Sequence, residues 1–495
     1  MSRRALLGLL VLSVPFSGCA EERGSAPPDA GVPPPPALDD PFAAQADTAE
    51  GLVNVSADLD EVLEHGALAG ACDRYAQTPD DRHARLLCGK SMFFYEGFGT
   101  AGVPTPIVTW LLGHFPDEVG PGFEALGMVA DPTSTEHFPL GLAPGGPLGT
   151  VDTLAFTCAS CHFAQLPDGR FAVGAPNHRY HYGEQNLMMA VLPALSIPGA
   201  DPAAHDPAAL ALLQPMRDKM AANPSIGLDL LGALLPLITG GGPMPMFSAE
   251  NEHFYATWLS GTMDFFIQPL VFDDGVHTIS KISALWGIPD DAERAARGQP
   301  SAYIGWTGGT ATLLNFARGF VDLGGGDPSQ WPDDRLGPLL DYVYSLRAPA
   351  NPAPPEQAEV ARGAQLFGDA TVGCQGCHDG PRGAGRRLFD YAAIGTDDAM
   401  RRWVDGDLDG TADNGIRFEP GDVITHQLKA PRLVGLWTMS RFLHNGSVGS
   451  LESLLCLDGP RGDVTEPAYG NGGHVFGCDL PDADRRAVIS FLLSH

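Results

Sequence analysis

Two five-residue segments carry residues whose types and spacing can do chemistry: Cys158-Ala159-Ser160-Cys161-His162 and Cys374-Gln375-Gly376-Cys377-His378. Each sets two thiols three positions apart and an imidazole directly after the second thiol. That order is the attachment signature for c-type haem, in which the thiols add to two vinyl groups and the His becomes an axial ligand of the iron. A pair of disulfide-forming or redox CxxC motifs would explain the cysteines and leave both histidines without a purpose. The spacing therefore predicts two covalent haems, one on Cys158, Cys161 and His162, the other on Cys374, Cys377 and His378. Two haems in one chain imply electron transfer, or redox catalysis fed by it.

Covalent haem attachment in bacteria takes place outside the cytoplasm, and the N-terminus fits export. Arg3-Arg4 followed by the apolar run Ala5 to Val14 has the basic and hydrophobic regions of a signal peptide. Phe16-Ser17-Gly18-Cys19 resembles a lipobox, with Phe16 in place of the usual Leu. This predicts a signal peptide over 1–19 and a lipid anchor at Cys19. Ala20 after the anchor fits a periplasmic or cell-surface protein held on the outer membrane. Residues 20–50, rich in Pro, Ala and acids, read as a semi-rigid tether. After Val14 no apolar run approaches the roughly 18 residues of a membrane span. Of nine Cys, the anchor and the haem thiols leave Cys72, Cys88, Cys456 and Cys478, two close pairs that suggest two disulfides in an oxidising compartment. A formal net charge of −30 gives no electrostatic case for nucleic acid and suits divalent cations and basic redox partners.

The elements that must position these groups are mainly helical. Periodicity predicts helices over Arg82 to Tyr95, Pro207 to Ala222, Gly227 to Thr239 (as a buried helix), Glu250 to Gln268, Glu356 to Phe367 and Asp482 to Leu493. Nothing suggests extensive sheet. Asn351-Pro352-Ala353-Pro354-Pro355 marks a boundary, dividing an N-terminal haem domain, 51–350, from a C-terminal cytochrome c domain, 351–495. A short helix, the haem motif and a final helix follow the boundary, the order of a class I cytochrome c. The expected fold is mainly α, with two cytochrome c-like haem domains, the first enlarged by long loops and extra helices. Phe254, Trp258, Phe265 and Phe266 form an aromatic stripe suited to the core or to a haem wall.

Lys429-Ala430-Pro431-Arg432-Leu433, Leu436-Trp437, Phe442-Leu443-His444-Asn445-Gly446-Ser447 and Gly470-Asn471-Gly472-Gly473-His474 together resemble the C-terminal block of the bacterial di-haem cytochrome c peroxidase superfamily, which includes the rubber oxygenases. The resemblance covers roughly 356–495 and is weak before it. It implies a redox enzyme in which peroxide or O2 is activated at the N-terminal haem and electrons pass through the C-terminal haem. It implies small redox proteins or quinol-derived donors as partners, and peroxide, O2 or a small or hydrophobic molecule as substrate. A non-catalytic electron carrier is the alternative. The resemblance makes His474 the second ligand of the C-terminal iron, with His444 and Met439 as competitors. His178 or His181 would be a displaceable distal ligand or proton handler beside His162. Trp286, Tyr303, Trp306 and Phe316 are candidates for the distal wall or an electron path, and Arg179, Arg318 or Arg432 for pairing haem propionates.

A separate segment has the alternating acids and turn glycine of a calcium loop: Asp405, Asp407, Asp409, Gly410, Thr411 and Asp413. Its twelfth position is Ile416 rather than Glu, so Glu419 would have to close the shell from outside. The expected cofactors are two c-type haems and Ca²⁺.

Overall fold

Helix α1, Arg82–Tyr95, begins where the Asp81 side chain accepts the Ala84 amide at 3.1 Å, capping an orphan donor. Its buried face carries Leu86, Phe93 and Phe94. The computed structural model describes residues 48–495 except 198, 240–247, 265–276, 297, 300–302, 413–416 and 463–467. The signal peptide, Cys19 and nearly all of the tether lie outside the described residues, as do Phe265, Phe266 and Asp413.

Helices dominate. After α1 come α2 (Cys158–His162), α3 (Tyr182–Leu195), α4 (Pro207–Leu212), α5 (Gln214–Ala222), α6 (Ser225–Thr239), α7 (Ala249–Ala256), α8 (Leu313–Leu323), α9 (Asp333–Ser345), α10 (Gln357–Gly368) and α11 (Asp482–Leu493). Among the described residues no strand exceeds four residues, and the sheets have two or three strands. Frequent Gly and Pro, 61 and 44 residues, cut elements short. No described helix is long and apolar enough to cross a membrane.

Helices α1 and α11 start and stop where periodicity places them. Three expected helices differ. Pro207 to Ala222 is two helices, because Pro215 brings no amide to the turn before it and α5 starts afresh at Gln214. Glu250 to Gln268 is not one helix. It ends at Ala256, turns at Gly261 (φ +74°), and enters the strand Thr262–Asp264, which pairs antiparallel with Ile279–Lys281. Helix α6 is half-buried rather than buried: Leu230 and Leu234 face the core, while Leu228 and Leu235 are 60% and 56% exposed.

Two glycines allow close helix crossings. A Cβ on Gly89 of α1 would collide with the Pro338 carbonyl of α9, and one on Gly363 of α10 with the Ala487 carbonyl of α11. The segment after Pro355 has its own apolar cluster, including Leu366, Phe367, Leu451, Val488, Phe491 and Leu492. It also lends Val434, Ala468 and Tyr469 to the two larger clusters built by earlier residues. Each such fully buried side chain contributes about 1.5–3 kcal/mol.

Candidate functional site

The first motif is helix α2. Thr157 caps it, accepting the Ala159 amide at 3.3 Å and donating its own hydroxyl to the Phe94 carbonyl of α1 at 3.1 Å. The following segment folds back on it: the Gly174 and Asn177 amides donate to the carbonyls of His162 and Cys161 at 2.7 and 2.8 Å. The second motif is a 3₁₀ turn, Cys374–Gly376, entered through Gly373 at φ +89°. Cys72–Cys88 and Cys456–Cys478 are disulfides, the two expected from the remaining cysteines. Cys158, Cys161, Cys374 and Cys377 are unpaired. Burial pushes Cys158 and Cys161 up to about 12 and Cys374 to about 11. A redox CxxC pair works through a lowered thiol.

One cavity of about 560 Å³ reaches both motifs, and its lining is mostly apolar. The histidines that line it are His162, His378, His444 and His474. His378 Nδ1 donates to the Gly383 carbonyl at 2.6 Å, which leaves Nε2 with its lone pair. The His378 and His474 ring centroids are 6.5 Å apart, with planes at 73°. Burial is the main reason that His162 and His474 are held down to about 4, so both are neutral imidazoles. Nδ1 of each is buried without a hydrogen bond, the Ser283 backbone acting on His162 without reaching bonding geometry. Among the described residues the close ring pair of two lining histidines is His378–His474; His162 has no such pair. His444 packs edge-on against Tyr391, at 5.9 Å. Met439 also lines the cavity.

The segment bearing His474 is held from several sides. Its backbone is left-handed at both Gly473 (φ +74°) and His474 (φ +47°). The Arg461 guanidinium donates to the carbonyls of Asn471, Leu454, Gly473 and His474 at 2.9–3.0 Å. The Cys456–Cys478 bridge closes the same region.

The distal candidates beside His162 are placed elsewhere. His178 is buried with both nitrogens engaged: Nε2 donates to the Ile282 carbonyl at 2.9 Å and Nδ1 accepts the Ser440 amide at 3.1 Å. It has no lone pair to offer a metal. His181 lies 3.8 Å from Glu184 with its side chain 43% exposed, and neither histidine lines the cavity. Phe254 and Trp258 are core: Trp258 packs on Tyr182, Phe254 and Tyr255, and neither Phe254 nor Trp258 lines the cavity. Trp306 and Phe316 do line it, whereas Trp286 is buried away with its indole donating to the Val173 carbonyl at 2.8 Å. Tyr303 lies outside the lining, under Lys429.

Four cations line the cavity: Arg417, which is paired with Glu419, and Lys281, Lys429 and Arg432. Burial brings Lys281 down to about 8. Burial, with Arg432 and Arg294 nearby, brings Lys429 to about 7, and burial with Arg382 nearby brings Arg432 to about 10. Among the described residues no carboxylate forms an ion pair with Lys281, Lys429 or Arg432. Arg432 donates to the Trp286 and Ala284 carbonyls at 3.0 and 2.7 Å. Arg318 is instead paired with Asp333, and Arg179 is exposed. Lys281 and Lys429 escaped sequence reasoning. Lys429 opens the Lys-Ala-Pro-Arg run, which is the only signal that pointed near it.

In the acidic loop, Asp405, Asp407 and Asp409 come together, with one carboxylate oxygen of each within 4.8 Å of the others. Asp405 is buried and accepts the Asp409 and Gly410 amides and His426 Nε2. The Thr411 hydroxyl donates to Asp409 at 2.6 Å.

No family model and no curated protein matches this chain. Among solved structures, it is similar to Kuenenia stuttgartiensis hydrazine synthase pressurized with xenon, at 16% identity over 50% of this chain and 81% of that one, with a TM-score of 0.26. It is also similar to a MauG-like protein associated with microbial copper homeostasis, at 16% identity over 37% of this chain and 63% of that one, with a TM-score of 0.21. Scores this low do not establish a common fold.

Proposed function

We propose that this chain is an exported di-haem c-type redox protein whose His162 haem is the reactive centre and whose His378 haem transfers electrons. The carrying observation is the asymmetry between the motifs. His378 has a second imidazole, His474, in ring contact with it, and among the described residues His162 has no such ring contact. Two imidazole nitrogens bound at about 2 Å to one metal from opposite sides put ring centroids roughly 6 Å apart, and the observed 6.5 Å fits. A haem held by Cys158, Cys161 and His162 would supply a one-electron centre able to react with peroxide or O2.

The chain's own residues have these tasks. The four unpaired cysteines form the thioethers. Gly383 fixes the tautomer and orientation of His378. Arg461 and the Cys456–Cys478 bridge hold His474 in place. Lys281, buried, and Lys429 and Arg432, half-buried, form no ion pair with a carboxylate among the described residues and would offer cations to the haem propionates. His178 pins the segment after α2 to Ile282 and Ser440 and has no distal role. Small redox proteins or a quinol-derived donor would supply electrons, and a lipid on Cys19 would hold the protein on a membrane surface. Cys19→Ser should abolish lipid incorporation, read by mass spectrometry as loss of the acyl groups.

Mass spectrometry of the denatured protein should find two haem additions, lost one at a time in Cys158→Ser/Cys161→Ser and Cys374→Ser/Cys377→Ser. Cyanide should perturb one haem only, and His162→Ala should remove that response. If cyanide perturbs neither haem in either redox state, the protein is an electron carrier. A calcium ion on Asp405, Asp407, Asp409 and Thr411 belongs to the same proposal. Metal analysis should find about one calcium per chain, and a chelator should lower the melting temperature. An unaffected melting temperature with no calcium makes the loop a solvated acidic turn.

A further inference from the structure

The cavity opens through large apolar side chains. Phe320, Phe418 and Val423 are 40%, 36% and 47% exposed, and all three line it. Single exposed apolar residues need no explanation, but three on one rim do. Helix α8 supplies Phe320 together with Phe316, whose rings meet edge to face at 5.1 Å. The strap 417–423 supplies the other two. Its Asp422 carboxylate accepts the amides of Ala311 and Glu419 and the side-chain amide of Asn315, at 2.8, 3.1 and 2.9 Å. The Val423 amide donates to the Gly309 carbonyl at 2.8 Å. The rim is therefore a fastened structure. Its charged member, Arg417, is paired with Glu419 at 3.2 Å.

Chemistry inside the mouth restricts what can pass. In a chain with 60 acids, the carboxylates lining the cavity are Asp264 and Asp422. Asp422 fastens the strap, and Asp264 accepts the Thr278 hydroxyl. Of the four lining cations, Arg417 is paired with Glu419, and Lys281, Lys429 and Arg432 are assigned above to propionates. A charged molecule would lose its hydration here and find no free partner, whereas an apolar one gains about 25 cal/mol for each Å² removed from water.

We infer that the mouth formed by Phe316, Phe320, Phe418 and Val423 admits small, uncharged, mostly apolar molecules to the cavity that reaches His162. The inference rests on the two-haem reading. Gly319, between the two phenylalanines, also lines the cavity, and a Cβ there meets no atom within 4 Å. A larger residue suits a helix interior better than Gly. Gly319→Trp should therefore narrow the mouth from a position where the added Cβ meets no neighbour, and Phe320→Ala should widen it.

The probe is n-butyl isocyanide, a neutral ligand of ferrous haem, mixed with the reduced, haem-loaded protein in a stopped-flow spectrometer. Wild type should bind it at one haem. Gly319→Trp should slow binding by about tenfold and Phe320→Ala should speed it, with two haems by mass in every variant. Opposite effects cannot come from a general loss of stability. Unchanged rates in both variants overturn the inference, as does a wild type with two haems and no isocyanide binding. A Gly319→Trp defect confined to reduction by a protein donor overturns it too, and makes the rim a partner's docking surface. Loss of the His162 haem itself, seen by mass, marks failure of the two-haem reading instead.

Discussion

The rings of His378 and His474 stand 6.5 Å apart across one cavity, with planes at 73°, although the residues are 96 positions apart in the chain. His378 is oriented by its Gly383 hydrogen bond and His474 by a backbone tied to Arg461. If both ligate one iron, His474→Ala should convert one of two haems from low-spin to high-spin while leaving both covalently attached. His444→Ala, whose ring packs against Tyr391, should leave the spin state unchanged. The reverse pattern in absorption and paramagnetic resonance spectra would assign the ligand to His444.

Arg461 ties four carbonyls around the ligand segment. Its guanidinium is partly buried, and bonds to a charged donor contribute about 1.5–3 kcal/mol each before solvent screening reduces them. Arg461→Ala should lower unfolding stability by about 2 kcal/mol. It should also yield a mixture of low-spin and high-spin second haem, which Arg461→Lys restores in part. A spectrum unchanged at full ligation would show that the disulfide alone holds His474.

Lys429 should tune a haem. A half-buried ammonium near the propionates favours the reduced, less positive iron, so Lys429→Gln should lower one midpoint potential, on the order of tens of millivolts. The sign of its pH dependence follows from its depressed value of about 7, against 10.5 for an ordinary lysine. Burial makes the folded chain prefer the neutral amine. In the haem-free chain, the contribution of Lys429 to stability should therefore be lowest below about pH 7 and rise as pH climbs toward the unfolded value. Lys429→Gln should reduce the overall rise and leave the part due to Lys281. Propionates restore the charge and should flatten the rise in the loaded protein. Chemical denaturation across pH, with and without haem, reads both effects.

Gly363 tests the α10–α11 crossing. Its absent Cβ leaves room for the Ala487 carbonyl, with Phe491 beside it. Gly363→Val should cost about 3 kcal/mol or prevent folding. Gly319→Ala, in open space on α8, should be neutral or stabilising by about 0.5–1 kcal/mol. Equal effects in a denaturant titration would contradict the crossing.

What the sequence determined by itself was chemistry written in short spacing. The two CxxCH segments, the two leftover cysteine pairs and the Asp81-capped helix are each legible within a few neighbouring residues, because bond reach and helix hydrogen bonding act locally. The terminal helix Asp482–Leu493 is legible for the same reason. Tertiary structure alone decided the rest. The resemblance makes His178 a candidate ligand, yet its nitrogens are taken by Ile282 and Ser440, 104 and 262 positions away. The stretch from Glu250 keeps a helical pattern, but pairing with Ile279–Lys281 draws Thr262–Asp264 into a strand. Lys281 and Lys429 look like solvated surface charges until packing buries the first and half-buries the second. Burial and partnership are set by which distant segments meet, and local patterns in a chain do not encode that meeting.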